Sequence, residues 1–149
     1  MQPFVLFLAI LLLTAADEPK DAAKKDLAKL QGIWTPTSMV FNGKDHSVEG
    51  KGAFKMVFKG DIASVEGSDE IKREYAKVRF TLQPGFKPKL VDLEIVGGSQ
   101  EKAKMEGVYE ITGDEFRICV KVFGNDRPTE FASAEGSSVV LVVLKREKP

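Results

Sequence analysis

The chain has 149 residues, 22 Lys and Arg against 22 Asp and Glu, and 43% apolar side chains, the balance of one soluble globular domain and not of a disordered tail. Zero formal net charge removes the basic surface that nucleic-acid binding needs to displace counterions. One Cys and one His exclude an internal disulfide and any multi-histidine metal site, and no cofactor is implied.

Residues 1–16 (MQPFVLFLAILLLTAA) hold none of the charged side chains. The unbroken apolar run Phe4 to Leu13 is shorter than the about 20 residues of a membrane span. Small residues follow at Thr14, Ala15 and Ala16, then the acidic pair Asp17-Glu18. This is the pattern of a secretory signal peptide, although the α-amino group is its only positive charge. It predicts cleavage near Ala16 and an exported mature protein, periplasmic or extracellular, with no membrane span once the signal is removed. An uncleaved interfacial or buried N-terminal helix is the alternative. No Cys follows the run, which excludes a lipoprotein anchor.

Residues 17–25 read as a charged lead-in and 26–149 as one β-barrel domain. Asp21 is placed to cap a short helix ending at Leu30, with Ala23, Leu27 and Leu30 as its apolar stripe and Gly32 as its stop. From there the spacing changes to period two. Strands are predicted over Ile33–Phe41, Phe54–Lys59, Ile62–Glu66, Arg73–Leu82, Leu90–Val96, Met105–Thr112, Glu115–Val122 and Ser138–Lys145, with a short piece around His46–Val48. Asn42-Gly43 suits a tight hairpin because both residues tolerate positive φ, while Gly60-Asp61 and Gly113-Asp114 separate further pairs. Pro84-Gly85 and Pro88 stop a long strand, since proline supplies no ladder donor. No helix is predicted between neighbouring strands, so they should pair antiparallel.

Alternation sorts the faces. Phe54, Met56 and Phe58 oppose Lys55 and Lys59; Val78, Phe80 and Leu82 oppose Lys77, Arg79 and Thr81; Val91, Leu93 and Ile95 oppose Asp92 and Glu94. The last strand is apolar on both faces from Val139 to Leu144, so its outer side needs a cover, which the helix carrying Leu27 and Leu30 could provide. Eight or nine strands with one apolar face each stack as two sheets or close into a barrel. Closure removes the edges that invite aggregation, so an all-β antiparallel eight- to nine-stranded barrel with a short N-terminal helix is the predicted fold, with a sandwich the alternative.

Gly32-Ile33-Trp34 places a Gly-x-Trp at the entry to the first strand. There the glycine permits a sharp turn and the indole can plug the narrow end of a barrel, a spacing similar to the one that opens lipocalins and fatty-acid-binding proteins. A longer set follows in order: Asp26 through Trp34, Phe58-Lys59-Gly60-Asp61, Lys87-Pro88-Lys89 leading into Val91-Asp92-Leu93, Gly107-Val108-Tyr109-Glu110 with Gly113-Asp114, Arg127-Pro128-Thr129-Glu130-Phe131, and a Val- and Leu-rich strand ending Lys145-Arg146. Together these resemble the paralogous lipocalin-like domain family found in many copies in planctomycete bacteria. The resemblance runs from Asp26 to Arg146. It implies the barrel and export, carries over no catalytic residues, and belongs to a family without an established biochemical function.

Three classes of function are compatible with these residues. The first is non-enzymatic binding of a small apolar or amphipathic ligand inside the barrel, with Phe54, Met56, Phe58, Val78, Phe80, Leu93 and Tyr109 as lining. The same large side chains could equally fill the interior. Gly32, Trp34 and Arg127 are assigned to barrel closure, Arg127 packing against the barrel end over Trp34. The second is a cell-envelope interaction or inhibitor module using the loops 42–52, 97–104 and 123–135, the last presenting Arg127, Glu130 and Phe131 as interface anchors; no protein partner is identified. Catalysis is the least supported: Asp45-His46 with Glu49 is the one acid–His cluster, with no nucleophile motif or phosphate loop beside it. Cys119 shares a strand face with Arg117 and Lys121, cations that favour a thiolate, yet with no acid or His nearby in sequence it reads as a structural thiol.

Overall fold

The structure is a computed structural model that describes residues 19–67 and 69–148; the predicted signal segment lies outside them. The chain opens with helix α1 (Pro19–Leu30). Proline suits a first helical turn, where its missing N–H would have no partner anyway, and the described helix takes in most of the charged lead-in. Strands β1 (Gly32–Phe41) and β2 (Lys44–His46) form a hairpin about Asn42-Gly43, and a 3₁₀ turn at Gly50–Gly52 leads to β3 (Phe54–Lys59) and β4 (Ile62–Gly67). A short helix α2 (Asp69–Glu74) precedes β5 (Lys77–Gln83). Then come β6 (Lys89–Gly97), β7 (Lys104–Thr112), β8 (Glu115–Lys121) and β9 (Val139–Arg146).

Each of β3 to β9 pairs antiparallel with the next, and β1 pairs with both β3 and β9. Eight strands therefore close into an antiparallel barrel, with β2 as an extra strand on the end of β1. The predicted fold is the observed one. Two element predictions need correction. The strand predicted from Arg73 begins at Lys77, because Asp69–Glu74 turns as a helix with acids in its first turn and Lys72 and Arg73 in its last, matching the helix dipole. The short extra strand lies at Lys44–His46, two residues before its predicted place, since the two-residue turn sets its register on β1.

One end of the barrel is solid. Trp34 is fully buried and meets Phe116 edge-on at 5.8 Å between ring centroids. Phe58 lies 4.9 Å from Phe80 and 6.2 Å from Phe116, and Tyr109 lies 6.4 Å from Phe116. Such edge-to-face aromatic pairs each add about 0.5–1.5 kcal/mol beyond burial alone. Helix α1 lies over this end. Its last four carbonyls, which have no intrahelical donor, all find partners: the Gln31 side-chain amide donates to Leu27 O at 3.0 Å, the Gln31 N–H to Ala28 O at 3.4 Å, Arg146 to Lys29 O, and the Trp34 indole N–H to Leu30 O at 2.8 Å. Gly32 makes the turn from helix to strand at φ 114, a conformation that disfavours residues bearing a Cβ.

The helix does not cover the outer face of β9. It is packed against β5 and across the barrel end, where Leu30 is fully buried and Leu27 joins the interior cluster. The outer apolar patch of Val108, Cys119 and Val139 is covered instead by the long β8–β9 connection, whose Phe131 packs there with Leu90 and Leu141. This connection (residues 123–138) is a strap. Its Arg127 donates to Val91 O at 3.0 Å and Gly107 O at 2.8 Å and pairs with Asp92 at 2.7 Å. Gly107 is required there, because a Cβ would collide with the Cys119 carbonyl.

Candidate functional site

The other end of the barrel is hollow. Side chains from all eight barrel strands surround a cavity of about 390 Å³: Met39 and Phe41 of β1, Phe54 and Met56 of β3, Val65 of β4, Val78 and Phe80 of β5, Leu93 and Ile95 of β6, Met105 of β7, Ile118 and Val120 of β8, and Val140 and Val142 of β9. The reason is the pleat. Every second residue of each strand points inward, and in this half those positions carry Val, Ile, Met and Leu more often than rings, so the interior does not fill. His46, Ile71, Tyr75, Val122 and Phe123 form the rim. Phe123 is 68% exposed, a large apolar side chain left at the entrance.

Of the predicted lining, Phe54, Met56, Val78, Phe80 and Leu93 border the cavity. Phe58 and Tyr109 do not. Phe58 sits one pleat deeper than Met56 in the aromatic cluster, and Phe80, which touches both regions, is the floor. Tyr109 is tied to the helix: its hydroxyl donates to Asp26 Oδ2 at 2.8 Å, and Lys89 donates to the same oxygen at 2.8 Å. Burial pushes the Asp26 carboxyl up. The hydrogen bonds from Lys89 and Tyr109, with the charges of Lys89 and Lys29, outweigh it, so the net shift is downward and Asp26 is a buried carboxylate. Burial and Asp26 together push the Tyr109 phenol far above its ordinary range, which keeps it a donor. Asp26 gave no signal in the sequence, because a charged residue in a charged helix looks solvated.

Trp34 lies buried at the packed end of the barrel with Gly32 at the turn into its strand, but Arg127 does not join them. The cation over the indole is Arg146, 4.4 Å from the ring centroid. Its guanidinium also donates to Gln31 O at 2.6 Å and pairs with Asp114 at 3.4 Å. Arg127 lies on the outer wall, because its loop folds back along β6 and β7 instead of under the barrel.

The cation effect expected at Cys119 is absent. Arg117 is committed to Glu110 and to the Phe131 ring, 4.5 Å away, and Lys121 donates to Ser137 O at 2.7 Å. Burial pushes the thiol up, only partly offset by a backbone hydrogen bond at Ala132, while the Glu130 charge raises it further.

Beside the cavity mouth lies a second, polar recess of about 260 Å³ lined by Thr37, Ser38, Met39, Asp45, His46, Ser47, Val48 and Glu49. It opens where the wall is incomplete: β1 pairs with β3 only from Gly32 to Trp34 and with β2 only from Met39 to Phe41. The acid–His cluster of the sequence is therefore gathered here. Among the described residues no hydrogen bond or ion pair joins His46 to Asp45 or Glu49; the His46 ring lies 6.2 Å from Phe41 instead. At the opposite rim, burial and the Glu74 charge push the Tyr75 phenol up, leaving a neutral hydroxyl.

Among the described residues no group of three or more His, Cys, Asp or Glu could hold a metal ion, and no helix is long and apolar enough to cross a membrane. Comparison with protein-family models, with curated proteins and with solved structures finds no match to this chain.

Proposed function

We propose that this protein is an exported, non-enzymatic binder of one small apolar or amphipathic molecule, held in the open half of its barrel. The observation that carries the reading is the cavity itself: about 390 Å³, within the range of small-molecule sites, enclosed by Val, Ile, Leu, Met and Phe, and open at one end. Apolar concavities of this size gain affinity by removing a ligand's surface from water. Export rests on the Met1–Ala16 segment, and kinship with the lipocalin-like family on the residues from Asp26 to Arg146. Of the anchors of the interaction-module alternative, Arg127 is turned onto the β6–β7 wall and Phe131 onto the Cys119 patch, while Glu130 stays exposed.

The test is titration with N-phenyl-1-naphthylamine, a neutral apolar fluorophore, together with native mass spectrometry of protein purified from its own host. The proposal expects saturable binding of one molecule, its loss when Ile95→Trp fills the cavity, and a thermal stabilisation that grows with ligand concentration. Absence of saturable binding, or binding unchanged in Ile95→Trp, overturns it.

A further inference from the structure

The barrel cavity offers a ligand no counterion. Its lining includes no Asp, Glu, Lys or Arg, and among the described residues its only side-chain nitrogen or oxygen atoms are the Tyr75 hydroxyl and the His46 ring nitrogens. Four arginines are committed to acids away from it: Arg79 to Asp61 and Glu94, Arg117 to Glu110, Arg127 to Asp92 and Arg146 to Asp114. Asp26, the one buried charged residue among those described, is held at the packed end by Lys89 and Tyr109. Lys44 shares a face of the β1–β2 hairpin with Phe41 and His46, but it is exposed and does not line the cavity. We propose that the ligand is uncharged and carries a carbonyl or hydroxyl oxygen that accepts a hydrogen bond from Tyr75 at the cavity mouth; this rests on the cavity-binding reading above and names the class of molecule it takes.

Tyr75 is half-buried and packs with Ile71 against the interior cluster. The backbone fixes it from both sides. Val65 N–H donates to Ala76 O at 3.0 Å, Gln100 N–H to Glu74 O at 3.1 Å, and Tyr75 N–H to Ile71 O at 2.8 Å. Gly98 makes the approach of the β6–β7 loop possible, because a Cβ there would lie 2.5 Å from Glu74 O. Among the described residues the Tyr75 hydroxyl has no hydrogen-bond partner. No buried side-chain polar atom is left unpartnered, so this hydroxyl is open to an incoming group. Burial and the Glu74 charge keep its phenol protonated and able to donate. The same Glu74 charge opposes a carboxylate brought to that hydroxyl. An ammonium head finds no carboxylate among the lining side chains, and leaving water for a hydrocarbon wall is costly for either ion. A carbonyl or hydroxyl oxygen accepts the phenol proton without that cost, and a donor already held in place loses little freedom when it binds.

The experiment is competition for bound N-phenyl-1-naphthylamine by four probes of one shape: 2-acetonaphthone, a ketone; 2-isopropylnaphthalene, its hydrocarbon counterpart; 2-naphthoate, an anion; and 1-(2-naphthyl)ethylammonium, a cation. The ketone should compete better than either ion by about tenfold or more. Tyr75→Phe keeps the ring and removes only the hydroxyl. It should weaken the ketone about three- to tenfold, the size of one neutral hydrogen bond, and leave the hydrocarbon unchanged, which also reports that the variant is folded. An ion that competes as well as the ketone, a ketone affinity unchanged in Tyr75→Phe, or an equal loss for ketone and hydrocarbon overturns the inference while leaving the cavity reading intact. Failure of the fluorophore and the hydrocarbon to bind the parent overturns the cavity reading itself.

Discussion

Met56 and Phe58 stand two residues apart on the same face of β3, one at the cavity wall and one in the solid end, and truncating each to Ala measures the boundary between them. Phe58 is 2% exposed and packs on the Phe80 and Phe116 rings. Its removal loses the transfer free energy of a ring, leaves an enclosed hole and breaks two aromatic pairs, which puts Phe58→Ala at about 3–5 kcal/mol, toward the upper end. Met56 is only half-buried and borders space that is already empty, so its loss creates no new enclosed void. Half the burial value of such a side chain gives about 1–1.5 kcal/mol for Met56→Ala. Urea denaturation of the two variants and the parent, with the slope checked for constancy, reads both numbers directly. Equal costs, or a larger cost for Met56→Ala, would refute the division of the barrel into a packed and a hollow half.

Asp26→Ala should cost about 2–3 kcal/mol, because it strands the buried Tyr109 hydroxyl and the Lys89 ammonium, and adding Tyr109→Phe should recover part of the loss in a double-mutant cycle. Since the folded Asp26 carboxyl is held below its ordinary value, the stability it provides is complete above about pH 4, the unfolded value, and fades as pH falls through the folded one; acid unfolding of Asp26→Asn should be correspondingly shallower than that of the parent. The Cys119 thiol should react with an aromatic disulfide reagent only through local opening of the strap, and Phe131→Ala should speed that reaction about tenfold, the effect of about 1.4 kcal/mol on the opening equilibrium. A rate in Phe131→Ala equal to the parent's would remove the strap from the account.

Strands, turns and the Trp34 plug were legible because they are local. Period-two alternation marks which side chains face inward, and Asn42-Gly43 or Gly113-Asp114 mark where a strand must reverse. Depth along the barrel axis is not local. Met56 and Phe58 occupy equivalent places in the alternating pattern, and only their cross-barrel neighbours, Phe116 on β8 and Phe80 on β5, decide that one packs and the other lines a void. The exchange of roles between Arg127 and Arg146 has the same origin: both are arginines near turns, and the partner that distinguishes them, the end of α1, is more than a hundred residues away in sequence from Arg146. Asp26 was hidden by its charge, which pattern reading assigns to water. The polar recess was visible as the Asp45–His46–Glu49 cluster, but its contact with the barrel interior depends on β3 parting from β1 after Trp34, a feature of closure that no run of residues records.

A vessel with a packed floor would impose an order on the traffic of the proposed ligand. A molecule held as proposed would back out on the side it came from, so a newcomer would wait for the resident to depart and replacement would run through the empty protein. The pace of turnover would then be set by departure, however abundant the newcomer. Nor would cargo pass through the aromatic end of the barrel, and handing it to a recipient would require the rim bearing Phe123 to face that recipient.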